Sequence, residues 1–373
     1  MELETSKELK LHEAVPCLSI LLPTHPTAPG RRVDMPQLKK AIQKAKQLLE
    51  VSYGNLGKEL YQQLDEVYEK ENTVYHDEGI GIFIAPGYSK TISFPFRVDE
   101  KISAGEEFQL REIILKEQEN IRYFHLELDK KEIRLYKGKG EILKEVKNHE
   151  FPIKQGKDWN YQPPARGSSY SNSLKNFEGD KSIVEEKRFI ELLLRADELL
   201  HYYVHSDTPC FVSGTNQETG YFKKITQLKK NFAGIVDGKY IPQKNNQAHP
   251  KILEEVKAWQ NEKEDEELEK LNDAFGKRRV AGGLEEVWHA LNSGMGQMLY
   301  VEKDFKCAGF VTDAKRTLSR KVPKERHRLF ADVVDFVMNN ALSQKIPTRI
   351  VGNNKLYEHD KIALLLRYKQ EVK

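Results

Sequence analysis

Cysteine is scarce in this chain of 373 residues: Cys17, Cys210 and Cys307 lie far apart, each in or beside an apolar run. An odd, scattered set excludes a disulfide framework and fits a reducing cytosol, with burial as small hydrophobes the expected role. Long apolar runs are missing too. No stretch of about eighteen apolar residues exists, which excludes a membrane-spanning helix. The opening Met1-Glu-Leu-Glu-Thr-Ser-Lys-Glu is acidic and has no apolar core, so no secretory leader is expected there. Neither sign of charge dominates: the formal balance is +3, and by itself it implies no nucleic-acid partner. No internal repeat is present.

What is present describes a well-solvated globular chain, 39% hydrophobic and 31% charged. Its length exceeds one ordinary core and predicts two or three domains. The distribution of charge says more than its sum. Between residues 315 and 328 lie Lys315, Arg316, Arg320, Lys321, Lys324, Arg326 and Arg328, opposed only by Glu325. A smaller cluster holds Arg31, Arg32, Lys39, Lys40, Lys44 and Lys46. Such runs are commonly solvated surface. The sharper reading is phosphate binding, in which each neutralised phosphate releases counterions.

Three segments follow from periodicity. In the first, residues 1–117, Leu18 to Leu22 reads as a buried strand stopped by Pro23 and Pro26. Met35, Leu38, Ile42, Ala45 and Leu49 then share one helical face. Ile80 to Ile84 and Thr91 to Arg97 are further strands, the latter near an edge because of Pro95. In the second segment, 118–260, two alternating runs flank Asp129-Lys130-Lys131 as a hairpin. Ser182 to Val204 reads as a long helix, and Cys210 to Gly214 as a strand. The charged stretch from Ile252 to Phe275 reads as a connecting helix with one or more breaks.

The third segment, 261–373, alternates short elements. These are helix Leu284 to Asn292, strands Met298 to Val301 and Cys307 to Val311, a helix marked by Phe330, Val334, Val337 and Ala341, then strands at 349–351 and 362–366. This order predicts a small α/β/α sandwich, with the basic cluster in its long connection.

The most informative stretch is the loop at 156–181 between hairpin and helix. It contains two prolines, glycines and a run of small hydroxyl residues, and cannot bury enough apolar surface to fold alone. Long loops inside folded domains are usually functional or disordered. Here Arg166 is a candidate partner for RNA phosphate, while Trp159, Tyr161 or Tyr170 is suited to stacking on an exposed base. Gly167, Ser168 and Ser169 complete this candidate surface.

Other motifs read as structure. Gly294-Met-Gly-Gln297 lies between a helix and a strand, where Gly294 suits a left-handed helix end. Gly79-Ile-Gly-Ile sits within a strand and is a poor phosphate cradle. His201 and His205 are four apart but have no third ligand in view, so no metal site is expected. Glu185, Glu186 and Glu191 read as a solvated helix face, although with Asp197 they form the acidic set that a metal-dependent nuclease would need.

Three motifs in order resemble the bacterial homologues of the archaeo-eukaryotic class one release factors and Pelota, closest to the group that includes the hibernation factor Balon. They are Cys17-Leu-Ser-Ile-Leu-Leu-Pro-Thr-His-Pro, the hairpin from Arg122 through Arg134-Leu-Tyr-Lys-Gly, and Gly283-Leu-Glu-Glu-Val-Trp-His-Ala-Leu-Asn-Ser-Gly followed by Met298 to Val301. The resemblance implies an α/β, three-domain release-factor-like architecture. It comprises an N-terminal domain (1–117), an RNase H-like middle domain (118–260) and an L7Ae-like C-terminal α/β/α sandwich with its connecting helix (261–373). It further implies a tRNA-shaped occupant of the 70S ribosomal A site that meets ribosomal RNA of both subunits.

Under that implication Thr24, His25, Arg31 and Arg32 face the decoding centre. The basic residues from Lys315 to Arg328 meet RNA or a partner, and the third domain meets a translational GTPase such as elongation factor Tu. Where the family's loop carries Gly-Arg-Gly-Gly-Gln-Ser, this chain has Ala165-Arg166-Gly167-Ser168-Ser169-Tyr170-Ser171. The second glycine and the glutamine that positions water against the peptidyl ester are absent. The Asn-Ile-Lys-Ser tetrapeptide of stop-codon readers is absent as well. The expectation is a cytoplasmic, monomeric occluder of resting ribosomes, acting in stress or stationary phase. It is not an enzyme, needs no cofactor or metal and has no membrane partner. A rescue or peptidyl-tRNA hydrolase with an unfamiliar loop, and a metal-dependent nuclease or stand-alone RNA-binding protein, are the alternatives.

Overall fold

The computed structural model describes residues 5–10, 14–27, 30–71, 77–154, 170–205, 208–238, 246–312 and 317–369, with side chains at all of these except 31 and 170–182. The chain is mixed α/β and divides into two compact units. One joins Met1–Glu119 to Glu267–Lys373, and the other is Asn120–Glu266.

In the discontinuous unit, the apolar run at the start forms the strand Cys17–Pro23, central in an antiparallel sheet ordered Tyr88–Phe94, Gly79–Ala85, Cys17–Pro23, Lys101–Gly105. The third of the expected strands is indeed at the edge, and Pro95 lies just past its end. Alternation assigns the two faces. Leu18, Ile20 and Leu22 pack with Leu38, Ile42, Ala45 and Leu49 of the helix Asp34–Tyr53. Burying each large member contributes roughly 1.5–3 kcal/mol, so this face fixes the helix on the sheet. Cys17, Leu21 and Phe83 point the other way, into a core that continues through the last segment.

That segment is a three-layer sandwich. Its sheet runs Val280–Gly282, Ile362–Leu366, Gly296–Glu302, Thr348–Val351. Leu299, Val301, Ile362 and Leu364 face the helices Leu284–Asn292 and Val333–Ser343. Tyr300 and Ala363 face Leu268, Leu271 and Ala274 on the opposite side. Gly294 ends the first of these helices with φ 69°, a conformation that a side chain would strain. The second helix starts later than its apolar spacing predicts. Phe330 belongs to the strand His327–Phe330, and Asp332 opens the helix by accepting from the Val334 amide at 3.1 Å.

Buried ions weld the two segments of this unit. Arg111 donates to Asp335 at 2.9 Å and to Asp332 at 3.2 Å, and Lys101 reaches Asp335 at 2.5 Å. Burial pushes the Asp335 carboxyl upward. The charges of Arg111 and Lys101, with their hydrogen bonds, outweigh it and hold the group below its ordinary value. Two further bonds join the segments: Asn339 Nδ2 donates to the Phe108 carbonyl at 2.9 Å, and the Ile350 amide donates to Gln118 at 3.0 Å.

The other unit is built on a mixed sheet. Phe232–Asp237, Cys210–Gly214 and Arg122–Glu127 run parallel, and the last continues antiparallel into Glu132–Lys139 and Ile142–Glu145. Ile153–Lys154 pairs with the start of Glu132–Lys139. Phe124, Leu126 and Leu135 pack against Phe189, Leu193, Ala196 and Leu200 of the helix Tyr170–Tyr203. Tyr123, Tyr136, Phe211 and Val236 face Ile252 and Val256. The helix carrying those two residues, Pro250–Gly276, is continuous, against the breaks expected from its sparse apolar residues. Proline is tolerated at its first position, and between Lys251 and Phe275 it contains neither proline nor glycine. Charged residues of high helix propensity carry it between a buried turn at each end.

Candidate nucleic-acid interface

The first candidate surface grows from the turn after the strand Cys17–Pro23. Thr24 donates its hydroxyl to the Asp77 carbonyl at 2.9 Å and its amide to Glu78 at 3.0 Å. His25 is half-buried: its Nδ1 lies 2.7 Å from Asp34 Oδ1, and its amide donates to Asp34 Oδ2 at 3.0 Å. Gly30 closes the knot, because a Cβ there would come within 2.7 Å of the His25 ring. Thr24 and His25 therefore shape the turn, while Arg32 stands exposed on it. Arg31 lies in the same short 3-10 turn, Gly30–Val33, with its side chain outside the described residues. Of the neighbouring cations, Lys44 meets Glu100 at 2.7 Å and Lys46 meets Asp65 at 2.6 Å. Lys39 and Lys40 are exposed.

The C-terminal cluster divides in the same way. What reads as a long connection contains the strands Leu318–Ser319 and His327–Phe330, which flank Gly309–Thr312 in a small antiparallel sheet. Arg320 pairs with Asp360 at 2.8 Å, and Arg328 with Glu106 at 2.7 Å. Lys321, Lys324 and Arg326 are exposed between those strands. Lys315 and Arg316 lie outside the described residues. Two of the expected contacts are thus occupied within the unit, and three are displayed.

The loop residues Trp159, Tyr161, Arg166, Gly167, Ser168 and Ser169 lie outside the described residues. Tyr170 is the first residue of the helix Tyr170–Tyr203, which begins twelve residues before the position its apolar spacing marks. Its first turns carry few large apolar residues, so the pattern had no face to reveal there.

The acidic set of the middle unit does not converge. Asp197 is buried and accepts from Thr226 Oγ1 at 2.6 Å and from the Gln227 amide at 3.0 Å, which fixes the turn after the helix Asn216–Ile225. Glu185, Glu186 and Glu191 are exposed, and Glu186 accepts from the Tyr221 hydroxyl. Among the described residues, no group of three or more His, Cys, Asp or Glu is arranged to hold a metal. Nor is any helix of the described residues long and apolar enough to cross a membrane. Cys17 and Cys210 are buried, and burial pushes their thiols up to about 11 and about 12.

Sequence reasoning missed the polar groups inside the middle sheet. His125 is fully buried with Nε2 at 2.9 Å from Ser213 Oγ, and burial lowers it to about 3, so it is neutral. Two residues along, Glu127 accepts from the Tyr136 hydroxyl at 3.0 Å, and burial raises its carboxyl. In the sequence these residues are alternate members of one strand. Only the neighbours Ser213 and Tyr136, from other strands, explain why polar groups are tolerated there.

Fold and surface together define a mixed α/β protein that displays exposed cations, Arg32, Lys39 and Lys40 after its first sheet strand and Lys321, Lys324 and Arg326 in its last segment. Residues 122–294 match the model of bacterial archaeo-eukaryotic release factor family 3, a stretch that runs from the strand Arg122–Glu127 to just past the helix Leu284–Asn292. No curated protein matches the chain. Similar solved structures include an archaeal translation termination factor at 14% identity, covering 97% of this chain and 96% of that one with a TM-score of 0.25. Pelota of Archaeoglobus fulgidus is similar at 14% identity over 79% of this chain and 80% of that one, TM-score 0.37. The translation termination-like factor Dom34 of S. cerevisiae is similar at 11% identity over 79% and 74%, TM-score 0.39.

Proposed function

We propose that this protein binds the ribosome and occupies its A site as a tRNA-shaped occluder, without peptide-release chemistry, in the cytoplasm of resting or stressed cells. One observation carries the reading. Within the stretch that matches a release-factor family, the loop sequence Ala165 to Ser171 lacks both the second glycine and the glutamine that release requires. The exposed cations Arg32, Lys39 and Lys40, and Lys321, Lys324 and Arg326, support contact with RNA phosphates or with an acidic partner protein such as a translational GTPase. The buried, hydrogen-bonded state of Asp197 weighs against the nuclease alternative, because a metal ligand must present its oxygens to an open site.

The test uses purified ribosomes loaded with peptidyl-tRNA. The protein is expected to cosediment with them in competition with A-site tRNA, leaving the nascent peptide attached. Peptide release that depends on the protein would establish the hydrolase reading instead. Failure to cosediment under low salt would remove the ribosome as partner.

A further inference from the structure

The middle sheet carries a charge arrangement that its own fold does not account for. Arg122 lies directly across from Lys139, and Lys137 directly across from Lys144. Opposed residues of antiparallel strands share a face, and their neighbours two positions on share it too. All four cations therefore project from one face, with Ile142 among them, and all five residues are exposed. Like charges directly opposite are unfavourable in a sheet. None of the four forms an ion pair with a described residue. The acids of these strands, Glu127, Glu132 and Glu145, alternate onto the other face, where Arg134 lies 3.8, 3.3 and 3.9 Å from them.

The ordinary explanation for lysine on a sheet is protection of an edge strand from pairing with another chain. It covers Lys144 alone, because Ile142–Glu145 is the edge. Arg122, Lys137 and Lys139 stand on interior strands. The same face is apolar further along, where Leu126 and Leu135 lie under the helix Tyr170–Tyr203. The cations occupy the part of the face that the described residues leave exposed.

We propose that this face, formed by Arg122, Lys137, Lys139 and Lys144, docks the phosphodiester backbone of RNA. Residues two apart on a strand are separated by about 6.8 Å, comparable to the spacing of neighbouring phosphates along one strand of RNA. Lys137 and Lys139, two apart on one strand, thus present two successive sites, each with a second cation directly across from it, and a bound phosphate removes the repulsion within each pair. The four cations carry charge and no base-reading acceptor, so the contact they make is independent of sequence. The inference stands apart from the A-site reading, since it concerns RNA as a chemical class and residues outside the loop.

The experiment measures anisotropy of a fluorescein-labelled oligouridylate titrated with the full chain over a range of salt. The paired variants K137Q/K144Q and R122Q/K139Q are each expected to weaken binding at least about tenfold at low salt. Each should also flatten the salt dependence by about 1.4 in log–log slope, the value for two lost phosphate contacts on a single strand. Their melting midpoints should hold or rise, because opposed charges are removed. K137R/K144R keeps the charge and should keep the affinity. Unchanged affinity and slope in the glutamine variants would overturn the proposal, as would loss of binding in K137R/K144R. Charge-dependent binding to phosphatidylglycerol vesicles, with the oligouridylate unbound, would overturn it in favour of a membrane surface. Ribosome association is not read in this assay, so the two proposals fail separately.

Discussion

Two sites, one in each unit, bury polar groups by opposite means. The discontinuous unit buries full charges: Arg111, with Lys101 beside it, against Asp332 and Asp335. The middle unit buries a neutral imidazole, His125, bonded to a serine hydroxyl. The difference lies in what each neighbourhood supplies. Cations from the first segment meet carboxylates from the last, and the Coulomb attraction offsets desolvation only because both signs arrive together. Around His125 burial is what acts on the ring, with the Ser213 hydroxyl at 2.9 Å from Nε2, so the uncharged form is the cheaper one. Buried charge therefore ties distant chain segments into one body, and buried neutrality only has to be tolerated by its sheet.

The largest effect should follow from breaking the ionic cluster on one side. Arg111→Met leaves two carboxylates buried without their main partner and should cost roughly 3–5 kcal/mol in chemical denaturation of the discontinuous unit. Adding Asp335→Leu and Asp332→Asn should recover much of that loss. If the single variant unfolds at the wild-type denaturant concentration, the cluster does not hold the segments together.

A smaller effect tests the neutral arrangement through pH. His125 takes up a proton near 6.5 when unfolded and only near 3 when folded, so the unfolded chain binds more protons between those values. Its contribution is fully present above 6.5 and is lost as pH falls below that. At pH 5 the loss should be about 2 kcal/mol for the middle unit, and His125→Gln should abolish this part of the slope. Denaturation midpoints at pH 7 and pH 5 for both proteins give the comparison. Parallel slopes would mean that His125 is protonated in the fold. The ionic cluster behaves differently: the depressed Asp335 carboxyl keeps its contribution until pH falls below the ordinary aspartate value.

The smallest of the three effects concerns Asp197, whose carboxylate is buried and bonded to the Thr226 hydroxyl and the Gln227 amide, with no cation bonded to it among the described residues. Asp197→Asn keeps the shape and one acceptor and should cost about 1 kcal/mol, against roughly 2 for Asp197→Ala, measured by thermal unfolding. RNA binding should be unchanged in both. A variant that melts normally yet loses a metal-dependent RNA cleavage would restore the nuclease alternative.

How much of this was legible beforehand depends on the range of the interaction. Ile362–Leu366 and Leu284–Asn292 have the limits their patterns predict, because period two and period 3.6 are written in neighbouring residues. Leu318–Ser319 is too short to show any period, so the connection around it reads as a loop. Thr24 and His25 read as residues free to touch RNA, but the Thr24 hydroxyl and amide and the His25 Nδ1 and amide are engaged by Asp77, Glu78 and Asp34. Asp34 is close enough in sequence that the pairing with His25 was within reach of the eye. Arg320 and Arg328 could not be separated from Lys324 in a run of like charges, because their partners Asp360 and Glu106 lie far along the chain.

The string of residues alone determined the strands, the amphipathic helices, the lost glutamine and the absence of a spanning helix, all of which depend on local order and composition. Only the folded chain decided which cations stay free, which carboxylates are neutralised, and that the first and last segments make one body. The physical reason is that electrostatic energy depends on distance and burial, and neither exists until residues hundreds of positions apart have met.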